Sequence, residues 1–462
     1  MWGALAGILG IHALALPQVF VDAPLRLDTD TAAMLDAVQR TDGLRGAWRW
    51  FVGDWLLENG FYRPLPSLTI ALDYTLYGET AWGFRLTNWL IMVIAAWGVL
   101  CLTRLYAQLT ATRYAEVLAI SVALVFSLQQ TGILRPMADW SAWWFVGAIL
   151  AGVWALNRFG YARQSLIQAS TEQSSSELSG ESIGTPLILP KQAAWAWLLA
   201  IGALFWGVDR LLETQYGRLI TWVPSRTALL GTAFSLWAMY WLLRGVSERR
   251  GQWLGLGGAL YLLALGSYEQ PIMLLPLVGA LAFWQRRHWG AWGWKAFGVM
   301  ALAALIILVL RLSLLPTEPT RYQRQQLRSS LSGPINSYLA ELIPPVVQWQ
   351  YWRSIGTNFE ILLVDKQGWD SLVGLLLYGG VLAAFWHWRR LMGSALSWHA
   401  LTFLPMAFLH HFEHYMYLPQ LGKTLFDVGL MVWGGQAVWV QSANLNTRGA
   451  SEHAQANSSR RG

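Results

Sequence analysis

"FRLTNWLIMVIAAWGVLCLT", residues 84–103, is one of about twelve apolar runs that return along this chain almost from end to end. Hydrophobic residues make up 55% of the 462 and charged ones only 13%, a balance unlike that of a soluble globular protein. The pattern predicts an all-α polytopic membrane protein of about 12 transmembrane helices. Expected spans lie near 1–20, 86–103, 114–130, 141–157, 193–208, 227–243, 252–266, 271–284, 296–314, 370–387, 395–409 and 421–440. Several are shorter than the roughly 20 residues that cross a bilayer, so 252–284 reads either as two short spans or as one broken helix. The first run lacks a basic n-region and a clear cleavage site and reads as a retained span.

The thirty tryptophans suit the same class, because indole rings anchor helices at the headgroup level. A net charge of +7 raises the question of nucleic acid. The arginines, however, sit in short loops between apolar runs, so no nucleic-acid partner is expected. Arg104 with Arg113, Arg158 with Arg163, Arg244 with Arg249 and Arg250, Arg286 with Arg287, and Arg389 with Arg390 all fall on one side. The positive-inside tendency makes that side cytoplasmic and suggests a multi-pass protein of the cell inner membrane. Cys101 is the single cysteine, which excludes a disulfide framework and a cysteine metal site.

Four regions follow. Residues 1–157 form an N-terminal membrane half with an outer loop at 21–85. Residues 158–192, rich in Ser, Glu and Gly, read as a flexible cytoplasmic linker. Residues 193–441 form a second membrane half with an outer loop at 315–369, and 442–462 a disordered cytoplasmic tail. The first outer loop carries nine acidic residues against six arginines. Within it "GLRGAWRWFVGDWLL" alternates at near-helical spacing, which predicts a helix lying in the interface and places the acidic pair Asp28 and Asp30 over a shallow, membrane-facing cavity.

Asp28 and Asp30 lie in that loop soon after the membrane boundary. A carboxylate placed there can take the proton from an attacking hydroxyl; it can equally be part of a solvated acidic loop. Arg135 and Asp139, four apart, read either as a local ion pair or as contacts to a substrate phosphate. Arg226 opens a span from the outer side, where it can meet a phosphate at a helix N-terminus or snorkel to headgroups. Arg321, Arg324 and Arg328 can hold a departing phosphate or attract any anionic membrane lipid. In "HHFEHYMYLP" (410–419), His410, His411, Glu413 and His414 crowd one helical turn, a spacing that can present three ligands to a divalent metal ion. Substrate positioning is the other reading, since a charged cluster at the end of an apolar span is a functional candidate by default.

Four stretches, in order, carry a resemblance. "FYRPLPSLTIALDYTLYGETAWGFRLTNWLI" places Tyr62, Arg63, Pro64, Leu65, Asp73, Gly78, Gly83 and Asn88 where a lipid-sugar-dependent glycosyltransferase of the GT-C superfamily has an aromatic, His or Arg, Pro-Leu, L-D-x-x-L-F-G and G-x-x-x-x-N. "LYLLALGSYEQPIMLLPLV" is similar to an L-L-S-K-E segment, with Glu269 matching and Tyr268 in the place of lysine. "INSYLAELIPP" is similar to Y-L-x-x-L-L-x-P, and "EHYMYLPQLG" to E-R-Y-L-Y-L-P-S-I-G, with His414 in the place of arginine. The chain most resembles O-mannosyltransferase-like members that carry TPR repeats, although it has no such repeats itself.

The resemblance implies a transferase that moves a sugar from a polyprenyl-phosphate donor to a protein or glycan acceptor, outside the cytoplasm, with inversion. It implies an acidic general base in the first outer loop, at Asp28 or Asp30, with Asp22 a competing match. It also implies that Glu413, His414 and Tyr417 line the cavity wall that holds the sugar phosphate, and that Arg63 and Glu269 bind substrate. A non-catalytic scaffold in a membrane complex and a lipid-linked-sugar transporter remain as alternatives, and the Asp-Thr-Asp spacing with Tyr268 favours the scaffold.

Overall fold

In the computed structural model, residues 2–110, 115–133, 218–327, 384, 386, 388–409 and 413–435 are described. Among them the fold is helical throughout, with a single isolated β-bridge between Leu327 and Leu409. The main helices are α1 (Trp2–Leu14), α2 (Thr29–Arg40), α3 (Pro64–Tyr77), α4 (Ala81–Leu109) and α5 (Ala115–Thr131). They are followed by α6 (Arg226–Glu248), α7 (Gly251–Leu265), α8 (Leu274–Trp284), α9 (Ala291–Leu314), α10 (Arg321–Gln326), α11 (Arg389–Ala407) and α12 (417–435).

Three segments are long and apolar enough to cross a membrane: Ala81–Leu109, Val223–Glu248 and Ala291–Leu314. Shorter apolar helices cover Trp2–Leu14, Ala115–Thr131, Gly251–Leu265 and Gln270–Trp284. The expected spans at 141–157 and 193–208, that at 370–387 apart from residues 384 and 386, the linker and the tail lie outside the described residues. The stretch 252–284 resolves into two helices, interrupted between Gly266 and Met273. Pro271 lacks an amide hydrogen and stands at that interruption, where a continuous helix would need one.

Shape rather than apolarity selects which helices touch. A Cβ on Gly245 of α6 would meet Leu254 of α7 at 2.7 Å, and one on Gly257 of α7 would meet Leu242 of α6 at 2.6 Å. The bare backbones let this pair approach closely, which matters most where solvent supplies no hydrophobic drive. Buried polar groups tie other helices. Gln130 of α5 donates to the Met92 carbonyl of α4 at 3.1 Å, meets His12 Nε2 of α1 at 2.9 Å, and accepts from the Tyr417 hydroxyl of α12. Thr424 of α12 donates to Gln129 at 2.6 Å.

The segment 21–85 has a small apolar core of its own. Met34, Leu35 and Val38 of α2 pack with Trp50, Trp55, Ile70 and Phe84. Asp28 caps α2 by accepting the Thr31 amide at 2.9 Å and the Thr31 hydroxyl at 2.6 Å. The predicted interfacial helix is a 3-10 helix, Gly43–Phe51, which buries Gly46, Ala47 and Trp50 and exposes Trp48. Arg85 anchors the start of the loop by donating to the Ala23 carbonyl at 2.7 Å and to the Val21 carbonyl.

Candidate functional site

One end of the bundle holds a cavity of about 430 Å³, and most of the long helices start or finish there. Its wall includes Trp222, Pro224 and Thr227 at the head of α6, Tyr268 and Glu269 in the interruption after α7, and Arg311 in the last turn of α9. Pro405 and Met406 at the end of α11, with His414 and Tyr415 before α12, complete that side. The first loop supplies Asp30, Trp55, Asn59, Phe61 and Arg63. The opposite ends of α4 and α6 carry Arg104 and Arg244, which line a separate cavity with Glu116 and Glu248.

Asp54 builds the aromatic side of the wall. Its carboxylate accepts the amides of Trp55 at 2.8 Å, Gly60 at 2.6 Å and Phe61 at 3.1 Å, closing a turn that presents Trp55 and Phe61. Arg63 lies between those rings. Its guanidinium carbon is 4.2 Å from the Phe61 centroid, 4.9 Å from Trp55 and 4.8 Å from Tyr268, a set of cation–π contacts. Arg63 also donates three hydrogen bonds to Glu269, the shortest at 2.6 Å. The pair ties the first loop to the interrupted helix and leaves Glu269 with the more open side chain, 33% exposed against 11%.

The two neighbouring aspartates separate here. Asp28 Oδ2 takes the two Thr31 donors and the Trp222 indole at 3.0 Å, so this carboxylate is a cap and a tether. Asp30 lines the cavity and has no hydrogen-bond or ion-pair partner among the described residues. Burial first, and then the charge of Asp28, push its carboxyl above the ordinary range. Asp22 and Asp30 are both solvent-exposed residues, but only Asp30 is among the cavity residues.

His414 meets the same group by a different path. Its ring lies 4.9 Å from Trp222 and 4.5 Å from Tyr415. Trp222 therefore bridges Asp28 and His414, two residues at opposite ends of the sequence. The side chain of Glu413 and all of Arg135, Asp139, Arg328, His410 and His411 lie outside the described residues. Among the described residues no cluster of three metal-ligating side chains occurs.

Two expected ligand contacts are structural instead. Arg226 is fully buried; it donates to Asp73 at 2.7 Å, to the Phe84 carbonyl at 2.9 Å and to Asn88. A buried guanidinium needs a carboxylate of its own, and Asp73 lies within reach across α3, so Arg226 turns away from any phosphate. Tyr417 is also fully buried, against Phe126 and Gln130, and does not line the cavity. Helix α12 begins at Tyr417, and its first turn faces α5.

Sequence reasoning missed Arg311, Trp222 and the strap that follows α9. Thr320 donates to the Asn59 carbonyl at 2.9 Å, Gln323 donates to the Gly60 carbonyl at 2.9 Å, and Tyr322 meets Phe61 edge-on. Tyr322, Gln323, Gln326 and Leu327 close one side of the cavity. Arg324 turns to Glu318 at 3.6 Å, and neither it nor Arg321 is a cavity residue. The one signal available in the sequence was Arg311 itself, the lone charge in "AFGVMALAALIILVLRLSLL".

The fold and site define an all-helical protein with membrane-length helices and a charged, aromatic cavity gathered at one end of the bundle. No family model, curated protein or solved structure matches this chain.

Proposed function

We propose that this chain is a membrane-embedded glycosyltransferase of the GT-C type. In this reading it moves a sugar from a polyprenyl-phosphate donor to a hydroxyl acceptor on the extracytoplasmic side, with inversion. The observation that carries the reading is Asp30: a carboxylate with no partner among the described residues and a raised pKa, sharing one cavity with Arg63, Glu269 and His414. Those residues come from three of the stretches on which the family resemblance rests. A carboxylate whose pKa is raised is a stronger proton acceptor once ionised.

In the reaction, the acceptor oxygen attacks the anomeric carbon while Asp30 takes the hydroxyl proton. The bond from the anomeric carbon to the phosphate oxygen breaks, and the electron pair leaves with the polyprenyl phosphate. The aromatic wall and the Arg63–Glu269 pair give the sugar a shaped, low-dielectric seat in which polar contacts strengthen. The gathering of the arginine-bearing helix ends opposite the cavity supports the outward orientation.

A second reading has its own support. Tyr268 stands where the resembled family has lysine, and Glu269 is held by Arg63. A non-catalytic relative that binds the lipid-linked sugar as part of a complex would keep this pocket without needing turnover. Purified full-length chain in lipid nanodiscs, given radiolabelled polyprenyl-phosphate sugars and a panel of peptide and glycan acceptors, separates the two. Transfer by wild type that is lost in Asp30→Asn supports the enzyme. Binding of the donor without transfer to any acceptor supports the scaffold.

A further inference from the structure

Helix α9 packs through one stripe. Gly293, Ala296, Met300 and Ala303 are its buried positions, and Ile307 extends them one turn further. Continuing at helical spacing, the next position on that stripe is Arg311. By then α7 has ended at Leu265, so the stripe leaves its packing partner and reaches the cavity instead. Arg311 is therefore half-buried on the inward face, whereas a snorkelling arginine would stand among the exposed residues Leu305, Leu308, Val309 and Leu312. No hydrogen bond or ion pair engages it among the described residues. Arg63 and Glu269 pair with one another nearby, and among the described residues Asp30 and Arg311 are the carboxylate and the guanidinium of this chamber that no hydrogen bond or ion pair engages.

We infer that Arg311 binds the phosphate of a membrane-borne lipid phosphate, whose apolar chain lies along the exposed side of α9. A guanidinium offers two parallel donors to phosphate oxygens, and one beside an apolar helix favours an anion already carried in the bilayer. The inference rests on the reading above and names the group that grips the donor's phosphate and steadies it as it leaves. Asp30 then stands for the acceptor side of the same chamber.

The test measures binding of polyprenyl phosphate to the full chain in neutral-lipid nanodiscs. Parallel arms use unphosphorylated polyprenol, inorganic phosphate and phosphatidylglycerol. Wild type should bind polyprenyl phosphate well above the other three. Arg311→Gln should weaken that binding at least about tenfold, and Arg311→Lys, which keeps the charge without the fork, should fall between. Thermal melts of the ligand-free variants confirm that each is folded; if Arg311→Gln does not fold, Arg311→Lys carries the comparison alone. Equal affinity in wild type and the folded variants overturns the assignment of Arg311 and leaves the glycosyltransferase reading standing. Equal binding of inorganic phosphate or phosphatidylglycerol overturns the lipid-phosphate ligand. Wild type that binds no polyprenyl phosphate overturns both the inference and the reading beneath it.

Discussion

Helix α3 carries one half of each of two arginine–carboxylate pairs: Arg63 at its N-terminal cap and Asp73 in its third turn. At Asp73 the carboxylate is closed on both sides, with Thr87 donating to Oδ1 at 2.8 Å and Arg226 to Oδ2 at 2.7 Å. Its partner has no exposure at all, and Asn88 carries the network on to the carbonyls of Leu219, Ile220 and Trp222. At Arg63 the guanidinium is stacked among three rings, yet Glu269 keeps a third of its side chain open to the chamber. Both pairs join distant segments through the same chemistry. One is fully buried, with a single guanidinium nitrogen, Arg226 Nη1, left without a partner among the described residues, and the other keeps its carboxylate partly open to the chamber.

If that contrast is right, disturbing the two places should affect different measurements. The largest effect is expected at Asp30, on the open side. Asp30→Asn should lower turnover by about 10²–10⁴-fold, the usual cost of losing a general base, measured by transfer from a polyprenyl-phosphate sugar. Stability should move in the other direction. With its pKa raised, the folded chain holds the Asp30 proton more tightly than the unfolded chain does. Asp30 therefore favours the fold in acid and costs stability as pH rises through its folded pKa. Asp30→Asn should melt at the same temperature as wild type or higher at pH 7. Catalysis needs the ionised form, so activity should fall as pH drops through that same raised pKa. A rate that stays flat down to the ordinary aspartate range would identify a different base, with Asp22 the next candidate.

Next in size is the closed pair. Arg226→Leu strands a buried carboxylate and should destabilise the protein by about 3–5 kcal/mol, read from denaturant melts in detergent. Replacing Asp73 with leucine in the same chain should restore much of that loss, because the cost lies in the unpaired charge. If Arg226→Leu leaves stability unchanged and weakens donor binding, Arg226 belongs with the ligand residues and the contrast breaks.

A smaller effect is expected at Gly60. Its φ of +89° suits glycine, and a Cβ there would meet Gln323 Nε2 at 2.8 Å and Thr320 Cγ2 at 2.9 Å. Gly60→Ala should cost more than about 1 kcal/mol from the backbone alone. It should also loosen the strap at 315–327, seen as faster amide exchange there than in α3. Unchanged exchange would show that the strap is held elsewhere. The smallest stability change, about 1 kcal/mol, is expected for Asp28→Ala through loss of the cap on α2. His414→Arg should be tolerated, since a planar guanidinium can pack against Trp222 and Tyr415, which the imidazole meets tilted and edge-on. Loss of donor binding in His414→Arg would point to a specific imidazole role, and zinc bound at stoichiometry in wild type would support the metal-ligand reading of this turn.

Much about this protein could be read from composition and order alone. Apolar runs long enough to span a bilayer have few folded outcomes besides helices, because the backbone must satisfy its own polar groups where there is no water. The break near Tyr268 and Glu269, the gathering of arginines at one set of helix ends and the weight placed on the first outer loop follow from that same constraint. Which charges would work and which would merely hold the fold could not be read this way. Asp28 and Asp30 differ by two positions, yet Trp222 and Thr31 engage the first, and the second has no partner among the described residues. Arg226 and Arg311 are both arginines at membrane-helix ends. The first lies within 2.7 Å of a buried aspartate brought in by α3, and the second lies where α7 has already stopped. A side chain's availability depends on what the tertiary fold places beside it, and a linear pattern records the charge without its partner.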